Sequence, residues 1–106
     1  MKRRIIGIDV GKNGGIVVYD TEYDKLVHCI KMPPTPKDLL DFLSTYKENS
    51  VCYLERVNGM TGQSASASFV FGEGYGQITM GLIACGIPTV TVSPQIWQKA
   101  LGLRNT

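Results

Sequence analysis

The chain has 106 residues, 43% of them hydrophobic and 19% charged, with a net charge of +2. That length allows one domain and excludes two, and the balance suits a folded globular unit rather than a disordered tail. A mild positive charge permits a nucleic-acid partner without requiring one; a protein that coats DNA nonspecifically would be far more basic.

The cysteines Cys29, Cys52 and Cys85 are widely spaced, and the one histidine is His28. No CxxC pair occurs, so a zinc site is not expected, and an odd cysteine count fits a reducing cytoplasm. Met1-Lys2-Arg3-Arg4 is followed by only two apolar residues before Gly7, so no secretory leader is expected. The most apolar stretch, 69–86, holds Glu73, Gln77 and several glycines and reads as a buried helix rather than a membrane span.

In chain order, residues 4–10 predict a strand, with Ile5, Ile6, Ile8 and Val10 β-branched. Residues 11–15 form a turn on Asn13-Gly14, and 16–19 resume as a second strand. A polar turn at 20–25 leads to a third strand at 26–32, giving an antiparallel meander. Thr35 can cap a helix that opens on Pro36, with Asp38 in its first turn. Leu39, Leu40, Phe42, Leu43 and Tyr46 follow at helical period. Residues 50–55 are a fourth strand, and 59–63 a Gly-rich loop.

A long helix is expected over 64–85, stopped by Gly86 and Pro88. Its interior glycines, Gly72, Gly74, Gly76 and Gly81, each cost roughly 1 kcal/mol against alanine. Close approach to a sheet or to DNA would account for them, and Gly72-xxx-Gly76 reads as a packing motif. Residues 89–92 are a fifth strand, and a last helix opens on Pro94 and runs to Leu101. The order β-β-β-α-β-α-β-α is that of an RNase H-like α/β fold, a mixed five-stranded sheet with helices on its faces. A Rossmann fold would open on a βαβ unit instead.

Two acids require explanation. Alternation puts Ile5, Gly7 and Asp9 on one face of the first strand and Ile6, Ile8 and Val10 on the other. A carboxylate ending an apolar strand either caps the following turn or meets a compensating charge. Glu55 ends Val51-Cys52-Tyr53-Leu54 in the same way; taken alone it could pair with Arg56 or be solvated. If strands one and four are parallel neighbours, about 4.8 Å apart, Asp9 and Glu55 project together. A hard divalent cation such as Mg²⁺ would then relieve their repulsion. Such a site suits phosphodiester hydrolysis, with Asp9 and Glu55 as catalytic metal ligands and two cations roughly 3.5–4 Å apart.

Ile6-Gly7-Ile8-Asp9-Val10-Gly11, followed by Gly14-Gly15 and a strand, resembles the opening of RuvC-like Holliday-junction resolvases, where the aspartate is a catalytic ligand. Tyr53-Leu54-Glu55-Arg56-Val57 resembles the second acidic motif of that family. The run from Gly62-Gln63-Ser64 through Phe71-Gly72 and Tyr75-Gly76 resembles the helix of phage and prophage members. Val92-Ser93-Pro94-Gln95 with Trp97 and Lys99 resembles the segment after the fifth strand. The resemblance implies a Mg²⁺-dependent (or Mn²⁺-dependent), structure-selective DNA endonuclease acting on four-way junctions as a homodimer. It also implies two further acids on a later helix. Nothing acidic follows Glu73, so the domain is expected to be C-terminally incomplete, a fragment of a longer protein rather than a degenerate copy that binds without cutting, and whether this chain alone cuts is left open.

Lys12, Arg56, Lys99 and Arg104 are candidate phosphate contacts, with solvated charge as the plain reading. Gln63, Ser64 and Ser66, opening the long helix, could offer donors to a phosphate, and Ser64 could equally be an ordinary cap. Phe69, Phe71 and Tyr75 could stack on bases or serve as core or dimer contacts. Trp97 and His28 read as structural. Two other functions fit parts of the pattern. An actin-like ATPase or sugar-kinase lobe would bind phosphate at residues 9–15, and a noncatalytic DNA-binding module would use Asp9 and Glu55 structurally.

Overall fold

The computed structural model describes residues 3–10, 14–55 and 64–93. The elements are β1 (Arg4–Asp9), β2 (Gly15–Asp20), β3 (Lys25–Lys31), α1 (Pro36–Thr45), β4 (Ser50–Glu55), α2 (Ala65–Ala84) and β5 (Thr89–Val92). They form one five-stranded sheet in the order β3-β2-β1-β4-β5. β1, β2 and β3 are the expected antiparallel meander, while β4 runs parallel to β1 and β5 parallel to β4. Parallel neighbours need a crossover, and α1 and α2 supply one each. The helix expected from Pro94 lies outside the described residues.

Local chemistry sets the ends of these elements. Thr35 caps α1, its side chain accepting from the Asp38 N–H at 3.1 Å, with Pro36 in the first turn. Ser64 caps α2 in the same way, accepting from the Ala67 N–H at 3.1 Å. Gly86 takes φ +67°, a left-handed conformation that glycine reaches without strain, and its N–H closes on the Ile83 carbonyl.

The strands alternate; the helices cover one face, and the other leaves Val17, Tyr53 and Val90 exposed. Ile6 and Ile8 of β1, Ile16 and Val18 of β2, and Cys52 and Leu54 of β4 meet Leu39, Leu43 and Tyr46 from α1 and its cap. Ile78 and Leu82 of α2, with Ile87, complete the core. Both described helices therefore lie against the same face. His28 packs edge-on against Phe42 and Tyr46, with ring centroids 6.0 and 5.8 Å away, in keeping with a structural role.

Asp20 departs from its expected place in a polar turn. It ends β2 and is buried at 3% exposure. Its carboxylate accepts from the Glu22 and Tyr23 N–H groups at 2.9 and 3.2 Å and from Arg3 Nε at 3.3 Å. Burial alone would push this carboxyl up. The two backbone donors and the Arg3 guanidinium outweigh it and hold the group below the usual carboxylate range.

The α2 glycines also differ from expectation. Only Gly81 has a close neighbour, Leu43 of α1, whose Cδ1 would lie 3.2 Å from an added Cβ. At Gly72, Gly74 and Gly76 an added Cβ would meet nothing within 4 Å, so among the described residues nothing packs on the glycine motif.

Candidate active site

The parallel register pairs Ile8 with Leu54, so the next residues, Asp9 and Glu55, leave adjacent strands at the same level. Ile8 and Leu54 face the helices, and the alternation turns Asp9 and Glu55 to the opposite face. Asp9 is exposed and Glu55 half-buried. With neighbouring strands about 4.8 Å apart, two carboxyl groups share one end of the open sheet face. This is the juxtaposition expected from the two apolar strands that end in acids.

Two glycines shape the surroundings. Gly15 of β2 is the direct partner of Asp9, and a Cβ there would lie 2.6 Å from the Ile30 carbonyl oxygen of β3. No side chain fits at that position without moving backbone. Gly7, one pleat before Asp9, would bring a Cβ to 3.1 Å from Val17 Cγ2. Neighbouring atoms, the Val17 side chain at Gly7 and the Ile30 carbonyl at Gly15, thus take the room a side chain would need.

The same cross-strand row runs on through Gly15 to Lys31 of β3 and through Glu55 to Val92 of β5. Lys31 is exposed and sits on the Asp9 side of the sheet, since its neighbour Ile30 packs toward the core. The sequence reading did not single it out. Its signal was register, which places a cation two strands from the acids and becomes visible only once the meander is paired.

Ser64 and Ser66 stand at the start of α2, their hydroxyls 3.3 Å apart. Ser66 lines a cavity of about 710 Å³ whose wall includes Val10, the residue after Asp9, together with Phe71 and Pro34. The helix start thus lies toward the Asp9 end of the sheet. Phe69 is exposed, while Tyr75 is partly buried and packs on the core. The other expected DNA contacts, Lys12, Arg56, Gln63, Lys99 and Arg104, lie outside the described residues. Among the described residues no three His, Cys, Asp or Glu gather where they could hold a metal ion; the acidic set there is Asp9 with Glu55. No described helix is long and apolar enough to cross a membrane.

No family model matches the sequence, and no curated protein matches it. Solved structures do match the fold. Thermus thermophilus RuvC in complex with a Holliday junction substrate is 18% identical, with a TM-score of 0.67 over 92% of this chain and 69% of that one. The Thermus thermophilus RuvC structure is also 18% identical, with a TM-score of 0.59 over 95% and 70% of the two chains. At this identity the likeness speaks to architecture, and the strand order and mixed sheet agree with it. The chain therefore has the RNase H-like fold of RuvC.

Proposed function

We propose that this chain is a Mg²⁺-dependent, structure-selective DNA endonuclease of the Holliday-junction resolvase type, hydrolysing phosphodiester bonds in branched DNA as a homodimer in the cytoplasm. The observation that carries this reading is the Ile8–Leu54 register, which brings Asp9 and Glu55 to one end of the open face in a fold shared with RuvC.

The donor chemistry fits the metal. Two carboxylates supply hard oxygen ligands, which Mg²⁺ and Mn²⁺ prefer, and two anions side by side gain from a cation between them. Asp9, exposed at the strand end, and Glu55 beside it would hold the ion. The bound ion would supply Lewis-acid stabilisation of the phosphate and an acidified water. The chain's own residues do the rest. Asp9 and Glu55 would set the position of the ion, and through it that of the reacting phosphate, at the end of the open sheet face. Lys31 in the same row, the Ser64 and Ser66 hydroxyls, and Lys12, Arg56, Gln63 and Lys99 serve as phosphate contacts that orient the strand. The resemblance to RuvC-like resolvases, phage and prophage members included, implies two more acids from a later helix, which would complete the ligand set.

Cleavage of a labelled four-way junction with Mg²⁺ or Mn²⁺, beside a linear duplex, tests the proposal. Junction-selective cutting that disappears in Asp9→Asn is the expected result. Equal cutting by wild type and Asp9→Asn, or junction binding with no cutting under either metal, would remove the catalytic reading for this chain.

A further inference from the structure

The cavity of about 710 Å³ has so far had no part in the chemistry. It lies on the helix side of the sheet, between residues 32–36 and one flank of α2. Ser66, Val70, Gly74 and Gln77 line it at intervals of three or four residues, so a continuous stripe of the helix forms one wall. Pro33, Pro34 and Phe71 add apolar rings. Among the described residues that line it none is charged, and the polar ones are Thr35, Ser66 and Gln77. The Thr35 hydroxyl is already engaged as the cap of α1.

We propose that this cavity receives one unpaired nucleobase of the branched DNA, from a nucleotide next to the phosphate at Asp9 and Glu55. The inference rests on the reading of those acids as a DNA site. The first argument is chemical. A lining without charge suits neither a phosphate nor a carboxylate; it suits a flat, uncharged ring with donors and acceptors along its edge. Bases stack on apolar and aromatic side chains, and Val70 and Phe71 offer such surface. The Gln77 carboxamide carries both a donor and an acceptor, which is what reading a base edge needs. Pockets for small organic ligands hold about 300–1,000 Å³, so a base with its sugar fits.

The second argument is position. Val10, in the cavity wall, directly follows Asp9, and successive Cα atoms are about 3.8 Å apart. Asp9 turns to the open face, whereas Val10 packs against the core on the helix side. The end of β1 thus separates acids and cavity by the width of one strand. Ser66, a phosphate contact in the reading above, stands in the same wall, so the DNA path that the acids imply passes the opening. A base at a branch point lacks part of its stacking, and extruding it costs less than extruding one from a duplex.

Gly74 makes the idea testable. It lies in the wall, and a Cβ added there meets nothing within 4 Å, so a larger side chain has room in the cavity and would take the space of the base. The probe is a four-way junction with 2-aminopurine, a base that brightens when unstacked, beside the exchange point. It is bound to the full chain with Ca²⁺ in place of Mg²⁺, so that the strands stay whole. Wild type should raise the emission at least about threefold over free junction. Gly74→Leu should bind the junction without that rise, its helical circular dichroism kept. Gly74→Ala, which favours the helix and adds only a methyl group, should keep the rise and so separates blocking from misfolding. With Mg²⁺, junctions differing only in the base beside the cut should be cleaved at rates at least about tenfold apart, and Gln77→Leu should level them. No rise with wild type, or an equal rise with Gly74→Leu, would overturn the inference; junction cutting by that same protein would leave the nuclease reading standing. A rise that Gly74→Leu abolishes, in a protein that cuts nothing, sustains the base pocket and sinks the nuclease reading.

Discussion

Ile8 lies beside Leu54 in the parallel register of β1 and β4, and both side chains are buried under the helices. That pairing fixes the acids that follow. Each apolar residue anchors its strand in the core, so the next residue emerges on the opposite face at a defined level. The site is thereby built from the same hydrophobic contacts that stabilise the fold.

Asp9→Asn should leave stability within about 0.5 kcal/mol of wild type, because the residue is exposed and the change relieves a like-charge neighbour. Junction cutting should fall at least about a hundredfold in Asp9→Asn and in Glu55→Gln. Mg²⁺ should raise the melting midpoint of the wild type and not that of Asp9→Asn, since an ion held by the folded state alone stabilises it. Melting curves with and without Mg²⁺ check this independently of activity.

The two roles of Ser64 can be separated. Ser64→Ala removes the oxygen that accepts from Ala67 N–H and should cost about 1 kcal/mol. Ser64→Asp keeps a capping oxygen and adds negative charge, so stability should be retained. If the hydroxyl meets a phosphate, Ser64→Asp should weaken junction binding more than Ser64→Ala does. Equal binding by both variants would leave Ser64 a cap and nothing more.

Gly15→Ala should destabilise by roughly 1–3 kcal/mol, as overpacking does. The added Cβ meets a carbonyl oxygen at 2.6 Å, and backbone yields less readily than a side chain. Gly72→Ala, measured by urea denaturation, should do the reverse and stabilise by roughly 1 kcal/mol, since the added Cβ meets nothing within 4 Å.

Asp20 should make the fold sensitive to acid. Its folded-state carboxyl lies below its ordinary value of 3.8, so it contributes stability that is fully present above that value. That contribution is lost as pH falls through the lower folded-state value. Asp20→Asn should be less stable than wild type at pH 7, and the gap should narrow as the pH drops below 3.8. A gap independent of pH would show that the Asp20 contacts, rather than its charge, matter.

The strands β4 and β5 begin and end where the sequence predicts, because each has an apolar alternation bounded by a polar or turn residue. The Thr35 cap was equally legible, since capping is a local event within four residues. Asp9 and Glu55 could be paired in advance only through an assumed strand order, which the sheet now supplies. Asp20 was hidden because its burial depends on Arg3, seventeen positions earlier, whose guanidinium meets it across the sheet end. Lys31 was hidden because the bulge between Val18 and Tyr19 resets the β2–β3 register, which strand lengths do not reveal. The exposed side of α2 was illegible for a different reason. A helix apolar all round carries no periodic signal to say which side faces in.

The sheet keeps its chemistry and its core on opposite sides of one backbone. Asp9, Glu55 and Lys31 can be exchanged without disturbing the packed side chains, whereas one residue inserted or deleted within β1 or β4 would swap the two sets at once. Point substitution is thus the open road for altering what this surface binds, and length variation in those strands is closed. A library built on the fold should vary Ile5 and Asp9 of β1 together with the odd positions of β4 and hold Gly7 and the even ones fixed.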